Sequence, residues 1–200
     1  MNQEEIRNNN CKEDREVIKK GVDCLLNGIG EDPLREGLIR TPERVARACE
    51  EWYGGYCKDP KDVLNRTFPS KGYNDMVVIR NIRFYSNCEH HITPFFGFTH
   101  IAVIAGDRIV GLDKYIKLVD IFARRLQTQE VMTTEICEAI VDVLKPKGAM
   151  VIIEGKHLCV ASRETKNDSA EFVTTHRYGL FEEDISLESR FLQYINKTLR

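Results

Sequence analysis

Met76-Val77-Val78-Ile79-Arg80-Asn81-Ile82-Arg83-Phe84-Tyr85 reads as a strand, and it runs straight into Ser86-Asn87-Cys88-Glu89-His90-His91. Val78, Arg80, Ile82 and Phe84 alternate with Val77, Ile79, Asn81 and Arg83, the period of two of a pleated chain. Cys88 and His91 stand three apart at the strand's end, where thiolate sulfur and imidazole nitrogen can converge on one Zn2+ at roughly 2.0 to 2.3 Å. A distant echo, His157-Leu158-Cys159, supplies a third donor if the chain folds back. Three protein ligands with an open fourth position make the catalytic zinc pattern, whereas a structural site is closed by four. A single cysteine is ordinarily a small buried hydrophobe, and a single histidine an exposed or satisfied side chain. What favours metal binding here is that three of the five histidines fall beside these two cysteines.

Outward from that stretch, Pro94 breaks the chain and Phe98 to Ala105 reads as a second strand turned by Gly106-Asp107. Two helices follow. From Lys114 to Leu126 the stripe is Tyr115, Leu118, Val119, Phe122 and Leu126; from Glu130 to Leu144 it is Ile136, Ile140, Val143 and Leu144. Ala149 to Val160 returns as a β-branched strand, on which His157 and Cys159, one residue apart, share a face. Glu171 to Leu180 reads as a fourth strand, and Ser186 to Leu199 has helical spacing. The expectation is an α+β core over residues 76–200: an antiparallel four-stranded sheet in the order ββααββ, with the helical pair on one face. Residues 1–75 read as an N-terminal helical extension. Its first dozen residues are polar and expected to fray; one helix opens at Asp14, carrying Val17, Ile18, Val22, Leu25 and Leu26, and a second at Thr41-Pro42, with Thr41 as cap.

A chain of 200 residues, 42% hydrophobic and 30% charged, is long enough for one good core plus appendages. The net charge of -2 excludes a general attraction to nucleic acid or an anionic membrane, so a bound anion must be held by local Lys and Arg. Seven cysteines, at Cys11, Cys24, Cys49, Cys57, Cys88, Cys137 and Cys159, lack the spacing of a disulfide framework. No apolar run approaches a membrane span, and a reducing cytoplasm is the expected compartment. Cys24, Cys49 and Cys137 read as small hydrophobes buried on helices.

Several motifs now stand in one order: Arg40-Thr41-Pro42-Glu43-Arg44-Val45-Ala46, Cys88-Glu89-His90-His91, Val110-Gly111-Leu112 with Lys114, Gln127-Thr128-Gln129-Glu130, His157-Leu158-Cys159 and Gly179-Leu180-Phe181. Together they resemble the GTP cyclohydrolase I family over about residues 40–181. The resemblance implies the tunnelling fold, and a homodecamer of two pentameric rings with active sites between subunits. It implies that Cys88, His91 and Cys159 hold a catalytic Zn2+ that activates water to attack C8 of the guanine of GTP, which leaves as formate, the ring reclosing as 7,8-dihydroneopterin triphosphate. It also implies that His90 and His157 are the acid and base groups, that Gln129 and Glu130 bind the substrate, with Glu130 anchoring the guanine edge, and that Lys114, Arg163 and Arg47 bind phosphate.

There are departures from the family pattern. Asp113 stands where the family usually has Ser, Lys117 where it has Arg, Glu164 where it has Gly, and Leu126 where Pro is common. Asp113 and Lys117 would then contact the substrate with a less positive field and a poorer phosphate grip, or Asp113 would cap the helix that follows Gly111. Two other readings therefore stay open: the same zinc chemistry on a deoxy or less phosphorylated guanine nucleotide, and a non-catalytic, zinc-stabilised purine- or pterin-binding assembly.

Overall fold

The computed structural model describes residues 14–163 and 166–196. The polar stretch 1–13, Glu164 and the end of the last expected helix beyond Asn196 lie outside the described residues. The chain divides into two compact units, the first ending at Cys57 and the second beginning at Lys58.

In the first unit, α1 (Arg15–Gly28) packs on α2 (Thr41–Trp52). The Asp14 carboxylate starts α1 by accepting the N–H groups of Glu16 and Val17, which the helix itself cannot satisfy. Lys19 reaches Glu16 at 2.8 Å and Glu43 at 2.6 Å, tying the helices at their surface. Of the apolar residues of α1 only Leu26 is buried; Val17 and Leu25 stay exposed, so this unit does not cover its own hydrophobic stripe.

The second unit is built on a sheet ordered β5-β2-β3-β6-β7, comprising β2 (Met76–Cys88), β3 (Thr93–Ile104), β5 (Leu126–Gln127), β6 (Gly148–His157) and β7 (Phe172–Gly179). β1 (Thr67–Pro69) and β4 (Arg108–Val110) form a separate two-stranded ribbon. The four expected strands are neighbours and antiparallel. The fifth strand corrects the expected four. Helix α3 (Leu112–Ala123) stops before Leu126, and Leu126–Gln127 instead pair in parallel with Asn87 and Cys88. Pro94 does not break β3 either. It lies opposite Asn87 in a stretch where β6 pairing has not yet begun, so its missing N–H leaves no gap in the ladder between β3 and β6.

Helices α3 and α4 (Gln129–Leu144) cover one face of the sheet, burying Leu118, Phe122, Met132, Ile136 and Ile140 against Ile82, Phe84, Phe95, Ile101 and Val151. Part of the other face packs Met76, Ala102, Ile104, Met150 and Ile152 with Phe181 and with Phe191 of α5 (Ile185–Asn196).

Simple alternation does not survive along β2. Ile79 lies opposite Ile101 and Ile82 opposite Thr99, so Arg80 and Asn81 together face His100. This is a β-bulge, and Asn81 takes the left-handed conformation it needs, φ 59°. The bulge switches the parity of the strand. Ile79 packs into the helix-covered core before it, and Ile82, Phe84 and Cys88 after it, while Val78 belongs to the opposite face. The grouping of Val78 with Ile82 and Phe84 is thereby corrected.

The bulge amide of Asn81 is satisfied by Nδ1 of His100 at 3.3 Å. An imidazole can accept there only while Nδ1 is unprotonated. His100 is 2% exposed, and burial, with the Arg80 cation nearby, lowers its pKa from 6.5 to about 4. Between those values the unfolded chain takes up a proton that the folded chain refuses, so stability is lost as pH falls through that window and is whole above it. In urea titrations at pH 7 and pH 4, His100→Gln, which keeps an acceptor without titrating, is expected to show a pH loss smaller than the wild type's by up to about 3 kcal/mol. Equal losses in the two proteins would contradict this role.

Candidate metal centre and active site

Cys88 closes β2 with its side chain on the helix-covered side, a consequence of the bulge. The chain then makes one helical turn, in which His91 N–H and Ile92 N–H both donate to Cys88 O, at 3.3 and 2.8 Å, and Ile92 ends it at φ 51°. The turn brings His91 Nδ1 back to 4.0 Å from Cys88 Sγ. The ring of His90 also lies 4.0 Å from that sulfur, but its side chain is 67% exposed.

Two strands away, β6 ends at His157 and residues Leu158–Ala161 make a single helical turn that carries Cys159. His157 and Cys159 therefore do not share a strand face as expected; the turn, not the pleat, aims the thiol. Donor atoms of Cys88, His91 and Cys159 all lie within 4.8 Å of one another. Tetrahedral zinc with sulfur and nitrogen ligands needs donors roughly 3.6 to 3.8 Å apart, so a small contraction would suffice. Burial, and then the neighbouring Cys88 thiol, push the Cys159 thiol up. A divalent cation reverses that penalty on the Cys159 thiolate, and this donor set fits zinc.

Strand β5 fastens the ligand turn. Glu89 N–H donates to Gln127 O at 3.1 Å, and Gln127 Nε2 donates to Glu135 Oε2 at 2.8 Å and Phe122 O at 3.3 Å. The Thr128 side chain caps α4 by accepting Val131 N–H at 3.3 Å, and Glu130 sits in the helix's first turn, where the dipole favours its charge.

His157 is held from three directions. Its ring stacks on Phe95 at 4.5 Å with 6° between planes, meets Phe172 edge-on at 5.2 Å, and its Nε2 lies 2.9 Å from Gln129 Oε1. Burial pulls its pKa down, opposed by the nearby Glu130 carboxylate.

One cavity of about 320 Å³ gathers seven of the expected residues: Cys88, His90, His91, Gln129, Glu130, His157 and Cys159. It also gathers Gln127, Thr128, Val160, Phe172, Val173 and Thr174, to which sequence reading gave no role. For Gln127 and Thr128 the signal was the motif Gln127-Thr128-Gln129-Glu130; Val160, Phe172, Val173 and Thr174 lie outside it.

The expected phosphate groups are placed differently. Lys114, Lys117 and Asp113 do not line this cavity. Asp113 pairs with Lys117 at 2.8 Å and lies 4.0 Å from Lys114, and the Lys117 ammonium holds its carboxyl below the ordinary range. Gly111, not Asp113, is the cap of α3. Arg163, exposed beyond the Cys159 turn, is near enough to favour the Cys159 thiolate. Arg47 belongs to the first unit, where it lines a groove with Arg40 and Arg44.

Two thiols and an imidazole close enough to hold a metal ion, beside a clamped histidine and a carboxylate, form a candidate metal centre in an α+β protein. The family model of GTP cyclohydrolase I matches residues 18–196, and the chain belongs to the GTP cyclohydrolase I family. GTP cyclohydrolase 1 of Brucella suis (strain ATCC 23445 / NCTC 10510) is 43% identical over 196 residues, covering 98% of this chain and 92% of that protein. GTP cyclohydrolase 1 of Brucella canis (strain ATCC 23365 / NCTC 10854 / RM-666) is 42% identical over the same span. Among solved structures, the archaeosine synthase QueF-Like in the apo form aligns with 52% of this chain and 93% of its own at TM-score 0.44 and 15% identity.

Metal analysis tests the triad. Cys159→Ala and His91→Ala are expected to lose bound zinc while staying soluble, because the core does not depend on a closed structural site. Cys137→Ala is expected to keep zinc, since Cys137 is buried in the apolar core and its thiol is pushed up to about 12. Cys24, expected to be buried, is exposed. Full zinc content in Cys159→Ala would remove that residue from the ligand set.

Proposed function

We propose that this chain hydrolyses the imidazole ring of the guanine of GTP, releases C8 as formate and forms 7,8-dihydroneopterin triphosphate. The observation that carries the reading is the convergence of Cys88, His91 and Cys159 in one cavity with His157 and Glu130. The identity of 43% to curated GTP cyclohydrolase 1 sequences supports it.

Bound by the triad, zinc would supply the Lewis acidity that activates water for attack at C8. Glu130 accepts two hydrogen bonds from the N1 and 2-amino edge, a pattern that adenine lacks. His157, kept neutral by burial, exchanges a proton with a ring nitrogen as the imidazole opens. His90, exposed at the rim, is placed to move protons during the later ribose rearrangement. Gln129 is assigned to substrate binding by the resemblance alone, and Arg163, Lys114 and Arg47 to phosphate.

In this reading residues 76–200 form the catalytic core of tunnelling-fold type and residues 1–75 an extension. The working assembly is a homo-oligomer, a decamer of two pentameric rings with sites between subunits, acting in the cytoplasm without nucleic acid or membrane partners. Three observations support assembly: the exposed apolar residues of α1, the edge position of β7, and the absence of Lys114 and Lys117 from the cavity lining. Among the described residues no helix is long and apolar enough to cross a membrane.

A second reading, of a deoxy or less phosphorylated guanine nucleotide, is favoured by the Asp113–Lys117 pair, which neutralises a cation assigned to substrate. A non-catalytic assembly is disfavoured, since the metal does not need His90 or His157.

Zinc-loaded protein incubated with GTP is expected to release formate and build pterin fluorescence; neither signal, with zinc bound, would sink the reading. His157→Ala is expected to keep zinc and nucleotide binding while turnover falls on the order of 10² to 10⁴. Zinc lost with His157 would make it a ligand instead. Asp113→Ser frees two lysines, so kcat/KM is expected to shift toward GTP over less phosphorylated and deoxy guanine nucleotides. An unchanged ratio would leave Asp113 only its ion pair.

A further inference from the structure

Gln129 is 2% exposed, and each polar atom of its side chain already has a protein partner. Nε2 donates to Ile153 O at 3.0 Å and to Phe172 O at 2.9 Å, with Thr174 Oγ1 at 3.1 Å. Two carbonyl acceptors decide which end of the amide is nitrogen, so the end facing His157 is Oε1, an acceptor. An acceptor there requires a proton on His157 Nε2. We propose that Gln129 is a positioning residue: it locks His157 in the Nε2–H tautomer and thereby makes Nδ1 the atom through which that ring exchanges protons.

The alternative arrangements are costly. With the proton on Nδ1, the Nε2 lone pair would face the Oε1 lone pairs at 2.9 Å. Turning the amide over to relieve that would aim Oε1 at the carbonyls of Ile153 and Phe172, exchanging one repulsion for two. The surroundings prevent a compromise. The Gln129 carbonyl accepts the Thr133 hydroxyl at 2.6 Å, and the Thr133 and Thr174 hydroxyls lie 2.6 Å apart, fixing the start of α4 against β7. A Cβ on Gly155 would run into Gln129 Oε1, so glycine at that position makes room for the amide. The collision is with the far end of a flexible side chain, which makes Gly155→Ala a way to push the amide aside without cutting it off.

The inference rests on the proposed role of His157 in proton transfer, but its geometry is testable apart from turnover. Solid-state ¹⁵N NMR of histidine-labelled protein separates the two imidazole tautomers, and His157→Ala identifies the resonance by its loss. The wild type is expected to show His157 protonated at Nε2 alone. Gln129→Met, of similar length without an amide, is expected to abolish that single-tautomer signature. Zinc content should be kept, KM should stay within about two-fold, and kcat should fall roughly 10- to 100-fold. Gly155→Ala should reproduce the spectrum and the kcat loss with Gln129 intact, which also covers the case in which Gln129→Met fails to fold.

A wild-type His157 protonated at Nδ1 would overturn the inference. So would a Gln129→Met enzyme with unchanged kcat and a KM raised ten-fold or more, the signature of direct substrate binding. If the tautomer behaves as expected while GTP is not turned over by any variant or the wild type, the positioning stands and the proposed reaction falls.

Discussion

The one extra residue at Arg80–Asn81 decides what the rest of the second unit can be. Because side chains alternate with a period of two, a single-residue slip exchanges the faces of a strand. Without the bulge, the residues on the side of Ile79 would be Asn81, Arg83, Tyr85 and Asn87, and Cys88 would point away from the helices. With it, Ile82, Phe84 and Cys88 occupy that side. Held by the His100 imidazole, a local irregularity therefore sets both the hydrophobic core and the direction of the Cys88 thiol in the candidate metal centre.

The remaining parts of the site are assembled by strand ends. β2 and β6 lie on either side of β3, so the turns after Cys88 and after His157 emerge at the same end of the sheet. Parallel pairing of β5 with the last two residues of β2 brings the start of α4, with Gln129 and Glu130, to that end as well. Rigid backbone thus carries the donors, the clamped imidazole and the carboxylate, as a site that must act on one small ring requires.

Much of this was legible in the sequence, and the misses share a cause. The strand–helix order and the grouping of Cys88 with His91 were legible because apolar periodicity and the close spacing of rare ligand residues are local signals, whereas Cys159, on a distant segment, joins them only because the chain folds back. The bulge could not: Asn81 in the left-handed region and a histidine acceptor nineteen residues away in sequence are a tertiary arrangement. Leu126 reads as helical because its apolar side chain fits the stripe, yet pairing with β2 wins. Cys159 reads as strand because Ala149 to Val160 is an apolar, β-branched run, yet the strand ends at His157 and a helical turn carries the thiol. Gln129 carried no hint that its amide faces inward, since burial of a polar side chain depends on partners supplied by β6 and β7.

The central claim is a metal centre with two sulfurs, one imidazole and a position left for water. Zinc-edge X-ray absorption on the zinc-loaded protein measures it directly. The account predicts two Zn–S scatterers at about 2.3 Å and two lighter ligands, one with the scattering signature of imidazole. One sulfur, or a second imidazole completing four protein ligands, would contradict it.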